Sequence, residues 1–308
     1  MEIALQFCLL VLGFVMLAKG ADWFVEGAAG IAMRFGIPQL VIGLTIVAMG
    51  TSAPEAAVSI AAAVKGNADI TIGNIVGSNI LNILIILGLA ASIVPIAVAR
   101  STVRIEIPFM IGVTALLFYQ GRDGSISLAD GGVLMVAFAV YMMYLYTMAM
   151  KSNVDSDLEE PGLPLGRCLL GAVGGLALII AGSNVTVGAA TSIATYAGLS
   201  ERFIGLTIVA LGTSLPELFT SVAAARRGNA DIAIGNIVGS NIFNILFVVG
   251  LSALIIDIPF ASAFNFDTYV ALGAAVLLWL CVLRTQKLQR WAGALMLVCY
   301  AAYLGYIL

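Results

Sequence analysis

Long apolar stretches separated by short polar turns fill most of the chain. A helix needs about 20 apolar residues to cross a bilayer, and ten stretches approach or exceed that length. They cover residues 3–35, 39–64, 70–93, 107–119, 131–149, 168–197, 203–225, 232–256, 268–283 and 291–308. The pattern therefore predicts an all-α polytopic membrane protein with ten transmembrane helices.

One polar stretch is longer than a turn. Residues 151–167 include four carboxylates and divide the chain near its midpoint. Their spacing matches no EF-hand loop. We therefore interpret residues 151–167 as a solvated acidic linker between two domains, residues 1–150 and 168–308, with a regulatory calcium site as the alternative.

The two halves of the chain repeat one another. A shift of 162 residues aligns residues 42–92 with residues 204–254 without a gap, and 36 of these 51 positions are identical. Because each half holds five predicted spans, the second half enters the membrane with opposite polarity. The sequence thus predicts two inverted five-helix repeats, as in many secondary transporters, whose sites lie between the repeats near the membrane midplane.

Basic residues are unevenly distributed among the predicted loops. With the N-terminus outside, the inner loops carry ten arginines and lysines and the outer loops carry three. Since cytoplasmic loops are enriched in positive charge, we expect both termini outside, the linker in the cytoplasm and the chain in the plasma (inner) membrane. The first segment begins with Glu2 and lacks a basic region and a cleavage site, so we interpret it as a retained helix rather than a signal peptide.

Composition narrows the classes of function. The chain is 61% hydrophobic and 10% charged, whereas a soluble domain is about half apolar and a quarter charged, so its solvent is the lipid bilayer. The net charge is −3 and the basic residues form no nucleic-acid patch. There is no histidine, and the four cysteines lie in apolar segments without metal-ligand spacing. These facts argue against an enzyme and against a bound cofactor.

A glutamate follows a proline and two hydroxyl residues in each repeat. The first motif, residues 50–55, reads GTSAPE and the second, residues 212–217, reads GTSLPE. A charged side chain at membrane depth is costly and marks a functional site. Because proline removes a backbone N–H and disturbs the carbonyl four residues earlier, the motif offers carbonyl, hydroxyl and carboxylate oxygens together.

Amides and a hydroxyl recur at intervals of four residues after each motif, which places them on one helix face. They are Asn74, Ser78 and Asn82 in the first repeat, and Asn236, Ser240 and Asn244 in the second. All these candidate ligands are oxygens, which suit hard cations such as Ca²⁺, Na⁺ or Mg²⁺. One Ca²⁺ or several Na⁺ ions would neutralise two facing glutamates, and competition between these ions would give antiport. Protons are a third candidate substrate, because buried like charges favour protonation.

These motifs identify a family. GTSAPE with GNIVGSNILN, and GTSLPE with GNIVGSNIFN, resemble the two α-repeats of prokaryotic-type sodium/calcium exchangers in the cation/Ca²⁺ antiporter superfamily. The resemblance implies an alternating-access antiporter in which the first and sixth helices slide as a gate. It implies that calcium is held by Glu55, Glu217, Thr51 and Thr213. It implies that sodium is held by Ser52, Ser214, Ser78, Ser240 and the carbonyls of Ala48 and Ala210, with Asn82 and Asn244 beside the middle of the cluster.

Other functions remain open. Exchange of protons for Ca²⁺ or for another divalent cation is the nearest alternative, but proton/calcium exchangers place a glutamate where this chain has Gly77 and Ser78. Potassium-dependent relatives carry aspartate at the position of Asn244, which weakens a potassium-coupled interpretation. An inverted repeat argues against a cation channel, and the lack of histidine argues against a serine hydrolase. The sequence carries no signal for an oligomeric state.

Overall fold

The protein is a bundle of long helices joined by short loops. Its structure, a computed structural model, describes residues 2–66, 68–151, 163–198 and 210–307. The helices are α1 Glu2–Arg34, α2 Gln39–Thr51, α3 Ala53–Val64, α4 Ile70–Ile93, α5 Thr102–Asp123, α6 Leu128–Lys151, α7 Leu165–Tyr196, α8 Ala210–Thr213, α9 Leu215–Arg226, α10 Ala230–Ile255, α11 Ala263–Leu283 and α12 Arg290–Ile307.

Within the described residues, eight helices are long and apolar enough to cross a membrane, and the bent pair α2–α3 makes a ninth span. The prediction of an all-helical, multi-span membrane protein is therefore confirmed. The predicted span 203–225 begins outside the described residues, which show its last part as α8 and α9. Residues 152–162 of the predicted linker also lie outside them, and α7 already begins at Leu165.

The fourth span is longer than predicted. The sequence predicted a connecting loop from Arg100 to Glu106 and a helix from residue 107. Instead, Thr102–Glu106 forms a wide π-helical turn that leads directly into the helix. Pro108 lies in the first turn of the α-helical part, where it needs no backbone N–H, so Glu106 lies inside a membrane span rather than in a loop.

Two short antiparallel strand pairs join the halves of the chain. β1 (Ile96–Ala97) pairs with β4 (Lys287–Leu288), and β2 (Ser125–Ile126) pairs with β3 (Ile258–Pro259). A shift of 162 residues carries β1 onto β3 and β2 onto β4. The two pairings are therefore reciprocal, which is the mark of a two-fold relation between equivalent surfaces.

The two longest helices, α1 and α7, pack against each other in opposite directions. Gly13 of α1 faces Thr186 of α7, whereas Gly27 faces Ala172. A side chain at Gly20 would place its Cβ 2.9 Å from the carbonyl oxygen of Gly175, so only glycine allows the helices this close.

A basic residue at the end of α9 ties this helix pair to the rest of the bundle. Asp22 and Glu26 follow Lys19 on one face of α1, a spacing that favours compensation along the same helix. In the described residues the two carboxylates pair instead with Arg227, at 3.3 Å each.

The most deeply buried spans are α4 and α10. Each contains a wide π-helical turn at the equivalent place, Asn82–Leu87 and Asn244–Val249. Such turns occur frequently at functional sites, because they release backbone and side-chain groups from the regular ladder. The two central asparagines are the first residues of these turns.

Candidate functional site

Each GTS-x-PE motif forms a helix break that ends in a buried glutamate. Ser52 separates α2 from α3, which meet at a bend of 51°, and Ser214 separates α8 from α9. The break lies two residues before each proline. Each proline therefore lies in the first turn of the next helix, where a backbone N–H has no partner within the helix and its absence costs nothing. Glu55 and Glu217 thus lie in first helical turns, where the helix dipole favours negative charge.

The two motifs exchange hydrogen bonds. The hydroxyl of Ser52 donates to Oε1 of Glu217 at 2.8 Å, and that of Ser214 donates to Oε1 of Glu55 at 3.3 Å. Thr51 is a further hydroxyl neighbour of Glu217, and Thr213 of Glu55. Both glutamates are at most 1% exposed. The structure therefore brings the predicted carboxylates and hydroxyls of both repeats into one cluster.

Asn74 and Asn236 attach the broken helices to the central ones. Asn236 donates to the hydroxyl of Ser221 at 2.9 Å and to the carbonyl of Glu217 at 3.4 Å. Asn74 makes the equivalent bonds, at the same lengths, to Ser59 and to the carbonyl of Glu55. The sequence analysis missed both serines, although they are identical residues in the aligned repeats. These bonds fix the backbone that carries each glutamate.

Four buried asparagines meet between α4 and α10. Asn82 donates to Oδ1 of Asn241 at 2.9 Å, and Asn244 donates to Oδ1 of Asn79 at 3.1 Å. Asn79 and Asn241 donate to each other's backbone carbonyls at 3.1 Å. The sequence analysis also missed these last two, although both lie within the repeated GNIVGSN stretch. The network points the amide nitrogens of Asn82 and Asn244 at their partners and so fixes the side of each amide that carries oxygen.

Four oxygens of this cluster have no hydrogen-bond partner. Each is inaccessible to solvent, and the four form two pairs at equivalent positions of the repeats. They are Glu55 Oε2 with Glu217 Oε2, and Asn82 Oδ1 with Asn244 Oδ1. Unpaired buried polar atoms are costly. The amide oxygens can only accept, and so can the carboxylate oxygens when the glutamates are ionised. A hard cation satisfies such acceptors. No group of three or more histidine, cysteine or carboxylate side chains forms within the described ranges, so neutral oxygens must complete any coordination shell.

The remaining predicted ligands lie around the same breaks. The hydroxyl of Ser240 donates to the carbonyl of Ala48 at 3.3 Å. That carbonyl also accepts the helical hydrogen bond from the N–H of Ser52 at 3.0 Å. Ser78 is buried one turn before Asn82, and Ala210 is the first residue described in the second break.

Equivalent positions of the two repeats differ in exposure. Asn74 and Thr213 are half-buried, whereas their counterparts Asn236 and Thr51 are buried. Gly77 is half-buried as well, and its counterpart Gly239 is buried. The side of Asn236 is covered by Gly43 and Leu44, which pack on Gly235 and Gly239, whereas the residues that a shift of 162 pairs with Gly43 and Leu44 lie outside the described ranges.

Comparison with known proteins gives consistent matches along the whole chain. A family model described as sodium/calcium exchanger protein matches residues 5–147 and 168–308. The putative antiporter CaxA of Alkalimonas amylolytica is 40% identical, with 96% of this chain and 95% of that protein covered. The sodium/calcium exchanger MaX1 of Methanosarcina acetivorans is 33% identical, with 98% of each covered. The inner membrane protein YrbG of Escherichia coli is 38% identical, with 94% of this chain and 92% of that protein covered.

A solved structure has the same fold. The sodium-calcium exchanger NCX_Mj soaked with zero Na⁺ and Ca²⁺ superposes with a TM-score of 0.87 at 32% identity, covering 99% of this chain and 100% of the other. The same exchanger soaked with 2.5 mM Na⁺ and 10 mM Sr²⁺ gives a TM-score of 0.86 at 34% identity, covering 98% and 99%.

Proposed function

The chain belongs to the sodium/calcium exchanger family, whose members are transporters rather than enzymes, and from this membership we propose that it exchanges Na⁺ for Ca²⁺ across the plasma membrane. The observation that carries the proposal is the set of four unpartnered acceptor oxygens around two crossed carboxylates. A buried cation site between two repeats of a helical bundle is the arrangement typical of secondary transporters.

The charge of the cluster accounts for competition between the ions. Two ionised glutamates carry −2, which one Ca²⁺ neutralises fully. In this proposal Ca²⁺ is held by Glu55, Glu217, Thr51 and Thr213. Na⁺ ions neutralise the same carboxylates and add neutral ligands, which are Ser52, Ser214, Ser78, Ser240 and the carbonyls of Ala48 and Ala210. Asn82 and Asn244 supply their free oxygens at the centre. Because both kinds of ion need the same carboxylates, they exclude each other.

We propose that ten spans form two inverted five-helix repeats, residues 1–150 and 168–308, with motif blocks 42–92 and 204–254. The opposite directions of α1 and α7, the reciprocal strand pairs and the exchanged hydrogen bonds support this arrangement. Both termini are placed outside and the linker of residues 151–167 in the cytoplasm, on the basis of the loop charges.

In this orientation Asn74 lies on the outer side of the cluster and Asn236 on the inner side. We assign the outer entrance of the site to the side of the half-buried Asn74. Alternating access requires a second state in which these exposures are exchanged, and movement of the closely packed pair α1–α7 past the breaks would produce it. The inner ion pairs of Arg227 hold α1 to α9 in the state described here.

Calcium flux into proteoliposomes tests the proposal. Purified protein is reconstituted into vesicles loaded with Na⁺, K⁺ or choline, or with a pH gradient alone, and ⁴⁵Ca²⁺ uptake is measured. We expect ⁴⁵Ca²⁺ uptake only into vesicles loaded with Na⁺. The Glu217→Gln variant should show no such uptake. Thr268→Ala, which removes a buried hydroxyl outside the cluster, is the matched control. Uptake driven by the pH gradient and not by Na⁺ would replace sodium with protons as the coupling ion.

A further inference from the structure

A second buried carboxylate lies outside the exchange cluster. Glu106 is fully buried in the wide turn Thr102–Glu106 at the start of α5. A π-helical turn and an ionisable group inside a membrane span each point to a functional site. The exchange function proposed above makes no use of either.

The surroundings of Glu106 are oxygen-rich and incompletely paired. The hydroxyl of Tyr144 on α6 donates to Oε1 of Glu106. Three other oxygens are buried without a partner: Glu106 Oε2, Thr102 Oγ1 and Tyr141 OH. Thr102 lies in the same turn as Glu106 and Tyr141 one helical turn before Tyr144, so the buried oxygens are grouped around one carboxylate.

No basic side chain neutralises this carboxylate. Arg100 and Arg104, the nearest cations along the chain, are exposed, and in the described ranges ion pairs involve Arg227 alone. The titratable groups near Glu106 are Tyr144, which donates a hydrogen bond to it, and Tyr141. The neighbouring α11 contributes the indole N–H of Trp279, which donates to the carbonyl of Val103 at 2.9 Å. A lone buried carboxylate is costly, and one positive charge removes that cost.

The site occurs in one repeat only. The shift of 162 residues places Thr268 opposite Glu106, and the hydroxyl of Thr268 bonds within its own helix. Tyr303, the counterpart of Tyr141, donates instead to Asp267, which is only half-buried. The oxygens around Glu106 are thus not half of the symmetric exchange cluster.

We propose that Glu106, Thr102, Tyr141 and Tyr144 form a separate site for one monovalent cation, either Na⁺ or a proton. A single charge leaves the site neutral, whereas a divalent ion would leave an uncompensated positive charge in the bundle. In both cases the hydrogen bond from Tyr144 links the carboxylate on α5 to α6. The proposal does not rest on the exchange function.

Trp279 provides a direct reporter, because its N–H bonds to the turn that carries Glu106. The chain has three tryptophans, so a Trp23→Phe, Trp291→Phe background leaves Trp279 alone. Its fluorescence is followed in purified protein while Na⁺ replaces choline at fixed pH, and separately while pH falls from 9 to 5 without Na⁺. We expect a saturable change in one titration or both, and the titration that responds identifies the occupant.

Variants separate this site from the exchange cluster. The change should be abolished by Glu106→Gln and retained in a Glu55→Gln, Glu217→Gln double variant and in Asp267→Asn. If Glu106→Gln fails to fold, Tyr144→Phe keeps the carboxylate but removes the hydrogen bond that stabilises its ionised form, so that a proton should occupy it about tenfold more tightly. A silent Trp279 in both titrations, a response that survives Glu106→Gln, or one that vanishes with the exchange carboxylates would overturn the proposal.

Discussion

Removal of the amide of Asn241 tests whether the asparagine network prepares the central oxygens for cations. In the structure this amide accepts a bond of 2.9 Å from Asn82 and donates one of 3.1 Å to the carbonyl of Asn79. In Asn241→Ala both bonds are lost, and the amide of Asn82 becomes free to rotate and to present its N–H₂ group toward the bound ion.

The size of the effect follows from these two bonds. Each buried hydrogen bond contributes about 1 kcal/mol, so Asn241→Ala should lower the free energy of unfolding by about 2 kcal/mol. Loss of the bond that orients Asn82 should weaken cation binding by up to about tenfold, since 1.4 kcal/mol corresponds to a factor of ten. The maximal exchange rate should change less, because the carboxylates remain.

The assay measures the initial exchange rate in proteoliposomes as a function of the external Ca²⁺ concentration and, separately, of the Na⁺ concentration. Thermal unfolding of the purified variant gives its stability. Asn79→Ala should behave equivalently, since its contacts mirror those of Asn241. Thr268→Ala should lower the stability without changing the half-saturating concentration of Ca²⁺ or of Na⁺. Unchanged half-saturation constants in a folded Asn241→Ala protein would refute the reasoning.

Three further outcomes are expected. Ser240→Ala should raise the half-saturating Na⁺ concentration more than that of Ca²⁺, because the hydroxyl lies on the carbonyl of Ala48 at a proposed sodium ligand; equal shifts would argue against that assignment. Arg227→Gln should lower the free energy of unfolding by about 1 kcal/mol or less at low salt. It should have no effect at 1 M salt, where the Debye length is about 3 Å. A loss of stability that does not depend on salt would contradict the ion-pair explanation. A cysteine at Asn74 should react with an external membrane-impermeant maleimide faster than one at Asn236, and the reverse order would contradict the described exposures.

The sequence predicted the features that repeat or that cost free energy in a membrane. The residues at the helix breaks, the facing glutamates and the central amides recur at a shift of 162 residues. A charged side chain in an apolar span is costly unless it faces a partner or a site, which restricts where the two glutamates can lie. The structure agrees with both helix breaks and with the clustering of Glu55 and Glu217.

The contacts between helices were not predictable in the same way. Ser59 and Asn241 bind through packing partners distant in the chain, and their residue types occur in many helices without a role. Arg227 compensates Asp22 from the other half of the protein, whereas spacing along one helix suggested a local partner. Glu106 was assigned to a connecting loop between two spans, and only the wide turn places it inside the span as a buried residue.

Calcium binding to purified protein, measured by isothermal titration calorimetry at several Na⁺ concentrations, tests the central claim most directly. The account predicts that Na⁺ raises the apparent Kd for Ca²⁺ competitively without lowering the number of sites, and that Glu55→Gln and Glu217→Gln each abolish the Ca²⁺ signal in folded protein. Calcium binding that is indifferent to Na⁺, or that survives the loss of either carboxylate, would contradict a single shared site between the repeats.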